Sequence, residues 1–444
     1  MVQQLIMRAL RVDIREWFRQ RFRPSSYGAA WVLVALAYFC FSYTLVYTFH
    51  MPRVLLYGDD ALNCVIYILA LTQRRKVSRS GGIIIWIMTL YCCMGVIGAI
   101  LSAEKLTILL WGYRNIIRYF MFFYSCLVFL KKSDFIIVMR VVRVLFWVSV
   151  PLCTIERFMV TYPAGTIIGD KIGGVFWNFS GSNLPLNMLL CVYCIDVYSR
   201  YFTRKCSLLL FMMTSVAAIY MSATAELKVF LVELIIIVVF TAFGKGVSWR
   251  TIVALILGSS ILSTASMYFI FLNAGNSTTY ASNYSLQGYL DYATRDTGYT
   301  GSGDLNRFTG IGTVSEHIFH YNPLNMLFGI GLGNADYTNF FTSDFYSQYS
   351  GMHYQWFQGI WMFIESGYVG VSLYLLIFIM VIIHSRSMVD DYIKVFVCVM
   401  CIIMIVMFFY NITLRVEPTG YFSMLVISLP YLMHRAQRNV RRIV

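Results

Sequence analysis

The chain has 444 residues, of which 59% are hydrophobic, 17% aromatic and only 13% charged, with a mean hydropathy of +0.67. A water-soluble fold of this length cannot hide so much apolar surface. The net charge of +14 does not point to nucleic acid, because Lys and Arg sit in short clusters between apolar runs and not along one soluble face.

The segment 1–28 is basic and aromatic, and reads as an uncleaved cytoplasmic amphipathic segment on the membrane surface. Apolar runs follow at 28–49, 57–72, 82–103, 106–130, 135–155, 183–199, 207–224, 228–243, 251–273, 358–383, 392–410 and 421–434. Most have the roughly 17 to 25 residues that a helix needs to cross a hydrocarbon core of about 30 Å. The expected fold is therefore all-α, a polytopic membrane protein of about twelve transmembrane helices. Nine lie in 1–273, a large external loop occupies 274–357, and three more lie in 358–444 ahead of a basic tail. With both termini cytoplasmic, 23 of the 35 Lys and Arg fall on the inside, eight fall outside over much longer loops, and four lie within spans. That asymmetry satisfies the positive-inside rule.

The 11 cysteines fall in or beside the apolar runs and none lies in 273–355, which excludes a disulfide framework there. Cys191 and Cys194 form a C-x-x-C without a second pair or a histidine, too few ligands for a metal site.

The large loop opens with a polar stretch punctuated by Tyr280, Tyr284, Tyr289, Tyr292 and Tyr299. Aromatic faces among amides and hydroxyls suit sugars, whose C–H faces stack and whose hydroxyls require hydrogen bonds; a merely polar external loop has the same composition. From Arg307 to His320, Ile311, Val314, Ile318 and Phe319 recur near helical spacing and predict an interfacial helix. Gly329-Ile-Gly331-Leu-Gly333 lacks the preceding strand of a nucleotide fingerprint and reads as a tight backbone turn.

Arg307, an amphipathic helix, Pro323, Gly329, Gly331, His353 and then Glu365, Gly367 and Gly370 occur in an order that resembles the O-antigen ligase and Wzy-type polymerase superfamily. The stretch 171–189 resembles that family's Gly-x-Phe-x-Asn-x-Asn entry to a middle helix, and Lys228 stands where members often carry an arginine. A lysine there offers a point charge instead of a bidentate fork. The resemblance implies a fold similar to GT-C glycosyltransferases in the bacterial inner membrane, with the active site facing the periplasm or exterior. It also implies polymerisation of undecaprenyl-diphosphate-linked oligosaccharide repeat units, with a chain-length regulator and a flippase as further partners besides membrane lipids. No nucleic acid and no cofactor is implied, because the lipid diphosphate is itself the leaving group. A ligase that moves the glycan to lipid A core shares these motifs, and a flippase or transporter is the alternative of another class. Transporters commonly show two similar halves, which this asymmetric chain lacks.

Such chemistry needs a cationic cradle for the diphosphate and a base for the acceptor hydroxyl. Arg307, Arg157, Lys228 and the i,i+4 pair Arg114 and Arg118 are the candidate cradle, with Tyr280 and Tyr284 toward the glycan. An arginine near the middle of a span costs about 3 kcal/mol on insertion scales, so Arg114 and Arg118 need a cavity or a counter-ion such as Glu365. Arg140 and Arg143 begin about two turns from the cytoplasm and can snorkel. His50, His317, His320 and His353 are external, and only His353 combines a motif match with the mouth of a helix, the place for a side chain that changes charge near neutral pH. Glu365 lies about 18 Å deeper on the same helix, which suits an ion pair better than contact with His353. Gly367 and Gly370 fit close helix packing. The topology is checked by cysteine labelling: position 285 is expected to react with an impermeant reagent from outside, and positions in 73–80 only after permeabilisation.

Overall fold

A computed structural model describes residues 22–73, 77–163, 166–243, 303–338 and 342–441, together with Arg295 and Gly298. The expected span 251–273 and the tyrosines 280, 284, 289, 292 and 299 lie outside the described residues. Within them the protein is all-helical, the single exception being an isolated bridge between Tyr337 and Thr342.

The long helices are α1 (Tyr27–Tyr43), α2 (Gly58–Thr72), α3 (Arg79–Leu101), α4 (Leu106–Phe129), α5 (Lys132–Phe158), α6 (Asn183–Phe202), α7 (Leu208–Thr224) and α8 (Lys228–Phe243). Short α9 (Gly310–Thr313), α10 (Pro323–Phe328) and α11 (Asp344–Tyr349) follow, then α12 (Gln358–Ser385), α13 (Asp391–Tyr410) and α14 (Glu417–Arg441). Eleven of the twelve expected spans thus coincide with helices. Among the described residues six segments are long and apolar enough to cross a membrane: Tyr27–Thr48, Arg53–Thr72, Arg79–Leu101, Lys132–Phe158, Gln358–Ser385 and Asp391–Tyr410.

Capping sets several helix starts. The Ser26 hydroxyl accepts from the Ala29 N–H at 3.1 Å to begin α1, Ser78 does the same for Gly81 at the start of α3, and Asp390 accepts from Tyr392 and Ile393 to begin α13. Asp134 in the first turn of α5 accepts from the Ser25 N–H (2.8 Å) and hydroxyl (2.6 Å), tying the start of α1 to α5. Lys132 pairs with Asp390, so the starts of α5 and α13 lie at the same end of the bundle.

α6 is buried on every side between Pro185 and Ser199, as befits a helix at the centre of the bundle, packed on α7, α8 and α13. α12 packs on α3 and α13, and α14 on α4 and α1. The outer surface is apolar: Trp31 is 54% exposed, Trp86 69% and Leu209 70%. Water does not tolerate so wide an apolar surface, and lipid does.

One feature departs from a simple bundle. α12 is broken at Gly367 (φ 62°, ψ −170°), where a Cβ would stand 2.3 Å from the carbonyl carbon of Leu327. The break leaves carbonyls without intrahelical donors, and the glycine turn supplies them. The Ile330 N–H donates to the Ile364 carbonyl (2.9 Å) and the Gly331 N–H to that of Glu365 (3.0 Å). Gly367 is therefore a helix breaker as well as a packing position. Gly329, Gly331 and Gly333 have φ of +71°, +100° and +93°, so the expected tight turn is present, wedged between α3, α4 and α12.

The expected interfacial helix over 307–320 is instead one α turn, Gly310–Thr313, continued by a π turn, Val314–Ile318. Gly310 and Gly312 weaken the helix, and Val314 and Phe319 are buried, with Phe319 packed on Phe363 of α12 at 5.5 Å.

Gly333→Ala tests the wedge. The new Cβ would fall 2.3 Å from the Ile108 carbonyl oxygen on a left-handed backbone, a conformation that alone costs about 1–3 kcal/mol. Thermal unfolding in detergent is expected to drop clearly for Gly333→Ala and to stay unchanged for Gly312→Ala, where a Cβ meets nothing within 4 Å.

Candidate functional site

The end of the bundle opposite the Lys132–Asp390 pair gathers the candidate residues that are described. Arg157 ends α5 and pairs with Glu226 at 3.1 Å, in the turn before α8. Lys228, the first residue of α8, lies within electrostatic range of both Glu226 and Arg307. The Arg307 guanidinium sits 3.9 Å from the ring centre of Tyr410 at the end of α13 and 5.5 Å from that of Phe357 before α12. Three cations from separate segments of the sequence thus meet in one neighbourhood.

His353 is beside them. The Leu305 N–H donates to the Met352 carbonyl at 2.9 Å, so the strand of chain leading to Arg307 runs along the His353 turn. His353 has a left-handed backbone (φ 53°), and its ring lies parallel to that of Trp356 with centroids 4.3 Å apart, half-exposed. The Gln358 N–H donates to the Asn411 carbonyl at 3.2 Å, joining the mouth of α12 to the turn after α13.

Arg114 and Arg118 belong to a second cluster. Arg114 donates from Nε to Asp60 (2.6 Å) and lies over Trp111. Arg118 is buried, 2.9 Å from Glu417 and 3.5 Å from Asp59. Their counter-ions are therefore these three carboxylates and not Glu365. Glu365 instead accepts from the Gly333 N–H (3.0 Å) and pairs with Arg415 at 3.4 Å, its position set by the break in α12. Arg415 stacks on Trp361 (3.6 Å) and approaches Asp336 at 3.8 Å, while Asp336 accepts from Trp111 and Asn115. Tyr119 links the two halves of this network, its hydroxyl donating to the Arg415 carbonyl at 2.7 Å and accepting from Arg118 at 3.2 Å.

The two clusters differ electrostatically. Around Arg114, Arg118 and Arg415 the described carboxylates Asp59, Asp60, Asp336, Glu365 and Glu417 outnumber the cations. Around Arg157, Lys228 and Arg307 three cations share the neighbourhood with Glu226, which pairs with Arg157, and with Glu156 and Asp170 close by. The carboxylate excess around the first cluster repels an anion.

No family model, curated protein or solved structure matches the chain.

Sequence reasoning missed Asp59, Asp60, Asp336, Arg415 and Glu417, whose partners lie far away along the chain. It also missed Glu104, in the turn between α3 and α4. Its carboxyl lies under Gly331, where a Cβ would come 2.1 Å from Oε2. Both Glu104 oxygens are shielded from solvent, without a hydrogen-bond partner among the described residues. The 171–189 motif is built around another acid: Glu156 accepts from the N–H groups of Gly173 (3.1 Å) and Gly174 (2.8 Å). Asn183 donates to Asp170 at 3.2 Å, which fixes the entry to α6.

Burial, and after it the charge of Glu365, push the Glu104 carboxyl from 4.5 up to about 8. The folded chain then holds this proton more tightly than the unfolded one, so the stabilisation is complete below pH 4.5 and is lost as pH rises through about 8. Glu104→Gln is expected to flatten the fall in thermal stability over that window and to leave the variant more stable than wild type above it. A pH series of unfolding temperatures in detergent checks this.

Proposed function

We propose that the protein is a metal-independent membrane glycosyltransferase. It would polymerise undecaprenyl-diphosphate-linked oligosaccharide repeat units at the external membrane face, in a twelve-crossing, GT-C-like fold. The observation that carries this reading is the convergence of Arg157, Lys228 and Arg307 beside the His353 turn. Arg307 and Lys228 were singled out from separate motifs and Arg157 as an external cation, and cations brought together from three segments are what a lipid diphosphate leaving group requires.

In this mechanism the glycosidic bond between sugar and diphosphate breaks and its electron pair stays on the diphosphate oxygen. Arg307, with Lys228 beside it, stabilises that growing charge, and Arg157 supports the site from α5. The acceptor is the hydroxyl at the non-reducing end of a second lipid-linked unit. Its oxygen forms the new bond while His353, held flat on Trp356, takes the proton. Arg114 and Arg118 belong to this proposal as the walls of the acceptor side, compensated by their own carboxylates. Tyr280 and Tyr284 remain candidates for glycan contact from sequence alone.

The same site serves a ligase as readily as a polymerase, and the acceptor consumed distinguishes them. Incubated with a synthetic lipid-linked repeat unit, the purified protein is expected to give a ladder of products and released polyprenyl diphosphate, with or without EDTA. Arg307→Ala is expected to lower turnover by about 10²-fold or more, with poor rescue by Lys. His353→Ala is expected to abolish a pH dependence of turnover that wild type and Arg307→Lys retain. A normal rate and pH profile in His353→Ala would remove the base from the mechanism and leave arginine electrostatics alone.

A further inference from the structure

The other end of the bundle holds a second cationic site. A cavity of about 260 Å³ opens there between α5, the end of α6 and the start of α13. Its wall carries Arg140 and Arg143 from α5, Arg200 from the last turn of α6 and Lys205 from the turn that follows. Arg143 and Arg200 are close enough to interact with each other and with Tyr392, which also lines the cavity. Four cations from two helices and a loop therefore face one space.

The carboxylates of α6 and of the start of α13, Asp196, Asp390 and Asp391, are fewer than the cations. Asp196 accepts from Arg200 (Nε at 2.8 Å) and from the Tyr392 hydroxyl. Asp390 is engaged by Lys132 and by the first N–H groups of α13. The Nε–H of Arg143 is shielded from solvent and has no acceptor among the described residues. Simple snorkelling explains why basic residues lie at this end, because it carries long side chains outward to water. It does not explain why these converge and shield a donor.

We propose that this cavity binds the phosphate headgroup of an anionic membrane lipid. A phosphodiester matches the charge excess and supplies acceptors for guanidinium donors. Basic pockets between helices on the cytoplasmic side are where such headgroups bind, and the basic connections 131–134 and 200–205 flank this one. The adjoining surface selects lipid over a free anion: Ile136 and Met139 wall the cavity, and Ile136 is 42% exposed. Along the outside of α5 and α7, exposed Val144 and Leu209 continue that apolar surface, against which the acyl chains can lie. The site is separate from the one proposed for glycosyl transfer and does not depend on it.

The test uses full-length protein in neutral detergent, incubated with equal amounts of phosphatidylglycerol and phosphatidylcholine and read by native mass spectrometry. Wild type is expected to retain phosphatidylglycerol preferentially. Lys205→Gln, on an exposed turn, is expected to weaken that retention, and Arg143→Gln with Lys205→Gln to weaken it about tenfold or more. Arg53→Gln with Lys105→Gln, an equal loss of charge at the opposite end, should leave it unchanged. Equal retention of the two lipids by wild type, or full retention by Lys205→Gln and the double variant, would overturn the proposal. So would stabilisation of lipid-free wild type by submillimolar inorganic phosphate or pyrophosphate that the double variant loses, because the ligand would then be a soluble phosphate.

Discussion

The break in α12 at Gly367 is the constraint on which the charged end of this protein depends. Carbonyls freed inside an apolar bundle have no water to turn to, and leaving them unpaired costs several kcal/mol each. The chain resolves this by inserting the turn from Gly329 to Gly333, whose N–H groups reach the carbonyls of Ile364 and Glu365. Only glycine fits, because each of the three has positive φ and close neighbours on α3, α4 or α12. The insertion also fixes Glu365 between the Gly333 N–H and Arg415. A backbone requirement thereby positions a buried carboxylate and, through Arg415, the turn between α13 and α14.

From that carboxylate a network of paired charges runs through Arg415, Tyr119 and Arg118 to Asp59 and Glu417. Buried ion pairs of this kind stabilise little in net terms, since desolvation offsets most of the Coulomb gain, yet losing one partner costs several kcal/mol. Their effect here is to hold α2, α4, α12 and α14 in register. The cluster around Arg307 is built differently. Arg307 lies over the rings of Tyr410 and Phe357, and Arg157 pairs with Glu226.

The positions of the helices were legible in the sequence because apolar runs bounded by basic or capping residues need nothing from the rest of the chain. Even the runs at 57–72 and 421–434, with their acidic start and short length, proved to be helices. The glycine turn was legible too, from three glycines in five residues with no strand before them. The helix expected over 307–320 shrank to two turns because Gly310 and Gly312 dilute a periodicity that burial of Val314 and Phe319 accounts for as well.

The sequence by itself determined an all-helical chain with an apolar exterior, and which cations are too deep or too clustered to be ordinary surface residues. Hydropathy and charge placement are local properties, summed over windows shorter than a helix. Only the tertiary structure decided how those cations sort, with Arg114 and Arg118 neutralised by Asp60, Asp59 and Glu417, and Arg157, Lys228 and Arg307 gathered together. It also decided that Arg140 and Arg143 share a cavity with Arg200 and Lys205. Counter-ion choice depends on which helices are neighbours, and that follows from packing between segments as much as 296 residues apart, on which no single window of sequence carries information.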